Sequence, residues 1–301
     1  MNPDLADDPA RTLAYANSRF VDLAGVRTHV QTWEPAGTAS VTVVGLHHFY
    51  GSAQTYHRLG PLLAQRGMRL IAFDRVGFGL TDRPDPRGVW IGPQAPYTRA
   101  FAIRQLADLL DGLDLARVVV TGTSMGGTTA LEFALTHPDR VAHVLPASAP
   151  LTADAAAPPF LRPLLRPRLF TPIGAGVVRR LAGTIDVARV GKSFHDASTV
   201  TAEDVDAHAR FREADDWARG LWWKFVADQP PSLPRRLPEL AIAGVPVTAV
   251  GARHDRTVHP RYAARLAELA GGRSVVVDAG HVVHAEGAAE LADVIATAVE
   301  D

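Results

Sequence analysis

The chain has 301 residues, 47% of them hydrophobic, a mean hydropathy of +0.02 and a formal net charge of −1. That length and apolar content exclude a disordered chain and suit one large core, or a core with an insertion. The balanced charge, with no run of one sign, leaves no electrostatic footprint for a nucleic acid or an anionic membrane, and the absence of cysteine excludes disulfides, thiolate metal sites and a cysteine nucleophile.

The first residues, MNPDLADDPA, are acidic and lack the basic stretch and apolar core of a secretory leader. No segment reaches the ~18 apolar residues that a membrane span needs. The expectation is a soluble, cytoplasmic protein with a small-molecule partner and no membrane association. RFVDLAGVRTHVQTW then reads as a hairpin turning at Ala24-Gly25. After it, β-branched runs at 41–47, 69–74, 117–122, 141–148, 245–252 and 274–280 read as strands buried on both faces. Helix-patterned segments lie between them and close the chain, several ending in Gly or Pro. This alternation predicts a mostly parallel, doubly wound sheet with helices on both faces and antiparallel strands at one edge.

From about Pro150 to Pro234 the rhythm breaks: no buried-strand run occurs, PPFLRPLLRPRLFTPIG is dense in proline, and the residues after it are amphipathic. A segment of this length is too long for a plain connection. Residues 150–235 are therefore expected to form a helical cap, with 1–149 and 236–301 making up the core.

Immediately after the strand RVVVTG comes GTSMGG, in which Gly122-Thr123-Ser124-Met125-Gly126 has the spacing G-x-S-x-G and runs into a helix. A serine raised on such a turn needs bare backbone two residues to either side and has free helix N–H groups behind it. It also needs a base, oriented by an acid, at the ends of later strands. GARHD supplies Asp255 and AGHVVHAE supplies His281, in the order Ser, Asp, His. Asp278 competes as the acid and His284 as the base. The H-x-x-H spacing at 281–284 lacks both a following Glu and thiolates, so no metal is expected.

With these segments in place the chain resembles the α/β-hydrolase superfamily over nearly its full length. LHHFYGS is similar to the family's oxyanion loop, FDRVGFGLTDRP to its D-x-x-G-x-G-x-S/T segment, and GTSMGG to its nucleophile elbow. The resemblance implies Ser124 as nucleophile, His281 as base and then acid, Asp255 as the orienting carboxylate, and the backbone N–H groups of Met125 and Phe49 as the oxyanion hole. It implies no cofactor, and a serine hydrolase acting on the carboxylic ester of a small, largely apolar substrate. Cleavage of a C–C bond in a diketone by the same residues, and a non-hydrolytic receptor on the same fold, remain open.

The family loop reads H-G-x-P-G, so HHFYG departs at His48 and Tyr50. His47 is expected to brace the loop. His48, where the family has glycine, either strains the backbone or turns an imidazole toward the substrate. Trp222 and Trp223 are the expected aromatic substrate wall, while Arg162, Arg166 and Arg168 read as solvated surface.

Overall fold

The computed structural model describes residues 12–151, 157–158, 160–214, 216–227 and 233–300. The N-terminal stretch discussed above lies outside them. The apolar runs pair into one eight-stranded sheet: β1 (Ser18–Leu23), β2 (Val26–Trp33), β3 (Val41–Leu46), β4 (Met68–Phe73), β5 (Val118–Thr123), β6 (Val141–Ala147), β7 (Thr248–Ala252) and β8 (Arg273–Val277). Their order is β1-β2-β4-β3-β5-β6-β7-β8. Pairing is antiparallel at β1–β2 and β2–β4 and parallel throughout the rest. The hairpin turns at Ala24 and Gly25, where φ is +57° and +76°. Positive φ at both central residues matches the twist of the flanking strands.

Side-chain alternation divides the sheet's two faces between two cores. Val44, Ile71, Val118 and Val120 pack with Leu106, Leu131, Phe133 and Leu266, whereas Val43, Leu70 and Val119 pack with Tyr56, Leu59, Leu291 and Ile295. The helices that cover these faces are α1 (Leu59–Gln65), α2 (Arg99–Gly112) and α3 (Met125–Thr136) and, later in the chain, Arg261–Ala270 and Ala288–Glu300. α2 starts where Thr98 accepts the Phe101 N–H at 3.2 Å, which satisfies one of the helix's orphan donors.

Between β6 and β7 the described residues include three longer helices, α4 (Thr171–Ala182), α5 (Ala202–Ala209) and α6 (Trp217–Ala227). This insertion has its own small core: Ala175, Phe211, Trp217 and Leu221 pack on Phe78, Leu80 and Met125. At its margins Ala149 and Leu151 on one side, and Leu233, Leu237 and Leu240 on the other, are buried in the main core. The insertion is fastened by the ion pair Arg83–Asp216 at 3.3 Å, by Ser52 Oγ donating to Ala207 O at 2.9 Å, and by Arg58 with Asp204.

The FDRVGFGLTD segment following β4 is scaffolding. The buried Asp74 carboxylate accepts the N–H groups of Ala53 (2.6 Å) and Leu80 (2.7 Å) and the His29 Nδ1–H (2.7 Å). Burial alone would raise its pKa, but the His29 contact, the nearby His47 and the Ala53 N–H together prevail and hold it at about 2. A Cβ on Gly79 would lie 1.8 Å from Asp74 Oδ2, which is why that position is glycine.

Candidate active site

β5 delivers Ser124 onto a turn whose sterics explain its neighbours. Ser124 has φ +56° and ψ −121°, a strained conformation for a residue with a side chain. Its N–H donates to Ala147 O at 2.8 Å, tying the turn to β6. A Cβ on Gly122 would come within 2.5 Å of the Gly126 backbone, and one on Gly126 within 1.9 Å of Leu46 O. The two glycines let β5, α3 and the loop following β3 meet at van der Waals distance. Met125 begins α3, so its N–H has no intrahelical acceptor.

Asp255 and His281 are joined across 26 residues: His281 Nδ1–H donates to Asp255 Oδ2 at 2.8 Å. The other carboxylate oxygen accepts the N–H groups of Thr257 (2.7 Å) and Val258 (2.8 Å), which fixes the acid's orientation. Burial pushes the Asp255 carboxyl up, but the His281 hydrogen bond and these two N–H groups prevail and hold it below the usual range. Asp278, the competing acid, faces outward and binds His254 Nε2 at 2.8 Å. His284, the competing base, is fully buried with Nδ1 2.7 Å from Thr123 Oγ1, and burial pushes its pKa well below the ordinary value.

The loop following β3 resolves its two histidines differently. His47 Nδ1–H donates to His48 O at 2.8 Å and its Nε2 accepts the Arg75 N–H at 3.2 Å. Burial first, then the Arg75 charge, lowers its pKa to about 3, so the ring is a neutral brace. The strain expected at His48 falls elsewhere: His48 is not among the residues with positive φ, and Tyr50 is, at +64°. The His48 ring lies over Gly51, where a Cβ would come within 2.8 Å of it, and its Nε2 is 3.2 Å from His208 Nε2. His208 Nδ1–H donates to Asp204 O at 2.7 Å, so its Nε2 is the acceptor and His48 Nε2–H the donor. Burial pushes His48 well below the ordinary histidine pKa. The Phe49 N–H donates to no backbone oxygen among the described residues.

Ser124 and His281 open on one cavity of about 280 Å³, walled also by His48, Phe49, Tyr50 and Thr257 from the core and by Ile185, Arg189, His208, Phe211, Arg212 and Trp217 from the insertion. Two expectations fail here. Trp222 and Trp223 line no part of this cavity. Trp222 lies on bare Gly174 of α4, and Trp223 packs on Tyr97 at 5.4 Å while its Nε1–H donates to Thr171 Oγ1 at 3.2 Å. The tryptophan of α6 that does line the cavity is Trp217, five residues before Trp222. Helical spacing showed an apolar cluster but not which side of α6 turns inward. Arg189 and Arg212, which sequence reasoning passed over, also face the cavity. Arg162, Arg166 and Arg168 do not. Among the described residues no group of three or more His, Asp or Glu could hold a metal ion, and no helix is long and apolar enough to cross a membrane.

A family model described as alpha/beta hydrolase fold matches residues 41–288. A Bacillus subtilis protein, provisionally assigned as a 2-succinyl-6-hydroxy-2,4-cyclohexadiene-1-carboxylate synthase, is 40% identical over 117 residues, 39% of either chain. The 2-hydroxy-6-oxo-2,4-heptadienoate hydrolase of Pseudomonas putida is 35% identical over 123 residues, 41% of either chain. These matches thus span about two-fifths of the length of the curated relatives. The enol-lactonase of Burkholderia xenovorans superposes with a TM-score of 0.66 at 20% identity, covering 94% of this chain and 100% of its own. That likeness is one of fold.

Proposed function

The chain belongs to the α/β-hydrolase fold family, and from that premise we propose that it is a serine hydrolase cleaving a small carboxylic ester through an acyl-enzyme, with the insertion as its cap. The observation that carries this reading is the Asp255–His281 hydrogen bond at 2.8 Å, beside a cavity that also takes in a serine on a strained strand-to-helix turn. Asp255 holds the imidazole with Nδ1 protonated, which leaves Nε2 basic. Nε2 takes the Ser124 proton as Oγ attacks the ester carbonyl carbon. The N–H groups of Met125 and Phe49, free of backbone partners, receive the oxyanion. The imidazolium then protonates the departing alcohol, and water, deprotonated by His281, releases the acid.

His48 does not serve as an oxyanion donor in this scheme, because its one ring N–H is directed at His208. It supports the loop and contributes wall area. Labelling by a fluorophosphonate that is lost in Ser124→Ala, together with turnover of p-nitrophenyl esters, is the expected result. An unlabelled, folded protein would overturn the acyl-enzyme.

The similarity to the P. putida hydrolase favours a second reading, hydrolysis of a C–C bond in a vinylogous diketone by the same residues. Turnover of 2-hydroxy-6-oxo-2,4-heptadienoate in preference to every ester tried would select it.

A further inference from the structure

Among the described residues, the cavity that takes in Ser124 and His281 is lined by two arginines and by no aspartate or glutamate. Arg212 lies with its guanidinium 4.5 Å from the Trp217 ring centroid, and Arg189 donates from Nη2 to Leu181 O at 3.2 Å. Neither makes an ion pair among the described residues. Nearby arginines of the same insertion behave differently: Arg210 pairs with Asp206 at 3.0 Å and Arg219 with Asp216 at 2.9 Å. The two arginines turned toward the cavity are thus without a carboxylate partner among the described residues.

Tyr50, the residue of the preceding loop held at φ +64°, lines the same cavity. Burial raises its pKa against the pull of Arg189 and Arg212, so it offers a neutral O–H. Burial and then the charge of Arg189 lower the pKa of Arg212, as two like charges around one concavity should. The Arg212 guanidinium lies over the Trp217 ring, and a guanidinium fork matches a carboxylate in geometry as well as charge.

We infer that Arg189, Arg212 and Tyr50 form a carboxylate-binding subsite, so that the substrate cleaved at Ser124 is the ester of a short acid or alcohol bearing a free carboxylate at the end directed toward the cap. This rests on the hydrolytic reading above. Its chemistry is recognition alone: the carboxylate stays ionised and is not consumed.

Calorimetry on the Ser124→Ala protein with monomethyl glutarate and with neutral methyl valerate separates the two ideas, since it requires no turnover. The anion should bind roughly ten- to a hundred-fold more tightly, as a charge-assisted contact predicts. That preference should shrink at high salt, fall at least tenfold in Arg212→Gln and in Arg189→Gln, and survive better in Arg212→Lys. Equal binding of the two esters, or anion binding indifferent to both glutamine variants, would overturn the subsite. In the wild-type protein, kcat/KM for p-nitrophenyl hydrogen glutarate should exceed that for p-nitrophenyl valerate. Turnover without this preference overturns the subsite and leaves the hydrolase. Arginine-dependent binding with no turnover of any ester overturns the hydrolase and leaves the subsite.

Discussion

The turn that carries Ser124 and the insertion wall that faces it are built on opposite terms. At the turn the backbone is the device: Gly122 and Gly126 are bare because neighbouring main chain lies 2.5 and 1.9 Å from where their Cβ atoms would be, and Ser124 takes φ +56° as a result. At the wall the side chains are the device. Phe211, in the turn after α5, and Trp217, at the start of α6, line the cavity of Ser124 while packing in the small core around Leu221 and Phe78. A site of this kind can keep its chemistry while its selectivity changes, because the two depend on different parts of the chain.

The sharpest way to break that contrast is at the turn. Ser124→Ala should lower kcat by roughly 10⁴- to 10⁶-fold with an unchanged thermal midpoint, measured on the best ester found. Asp255→Asn should cost about 10⁴-fold, since the amide favours the wrong imidazole tautomer. An activity within tenfold of wild type in either variant would remove the proposed roles. Gly126→Ala tests sterics alone: its methyl group meets Leu46 O, and a loss of about 4 kcal/mol or more in urea unfolding, or failure to fold, is expected.

Acid sensitivity gives a smaller effect that reaches the loop between the two regions. His47 stays neutral in the fold down to about pH 3, whereas an unfolded histidine protonates near 6.5. The unfolded state therefore holds more protons within that window, so stability is full above it and is lost as pH falls from about 6.5 toward 3. Buried His48, His208 and His284 shift in the same direction and steepen the loss. Urea midpoints flat from pH 7 to 5 would contradict this, and His47→Gln should flatten them in part. The mildest change is expected at the wall. Trp217→Ala should move KM and chain-length preference several-fold, while Trp223→Ala should cost about 3–5 kcal/mol of stability and leave that preference alone. The reverse pattern would return Trp223 to the pocket.

Much of the core was legible in the sequence because its signals are local. The β-branched runs became strands within three residues of their predicted limits, and the Ala24-Gly25 turn fell where the two turn residues stand. The choice of Asp255 over Asp278 also rested on a local argument, that a residue so close to His281 cannot reach back to it. In the structure Asp278 faces outward and Asp255 meets the ring. The insertion gave no such foothold. Its helices are separated by irregular segments, so apolar spacing identified Leu221, Trp222 and Trp223 as a cluster without showing which way each of them turns.

The loop LHHFYGS marks the boundary between the two kinds of information. That His48 departs from a glycine pattern is visible in the letters. That the strain moves to Tyr50, and that the His48 N–H is committed to a histidine 160 residues away, depends on where α5 comes to rest. The sequence by itself determined the strands and the strained serine turn, which follow from sterics and spacing along a few consecutive residues, and pointed to Asp255 and His281 through the order of the segments that carry them. Only the tertiary structure decided what surrounds Ser124, including two arginines with no ion-pair partner among the described residues, because a cavity wall is assembled from side chains brought together by packing.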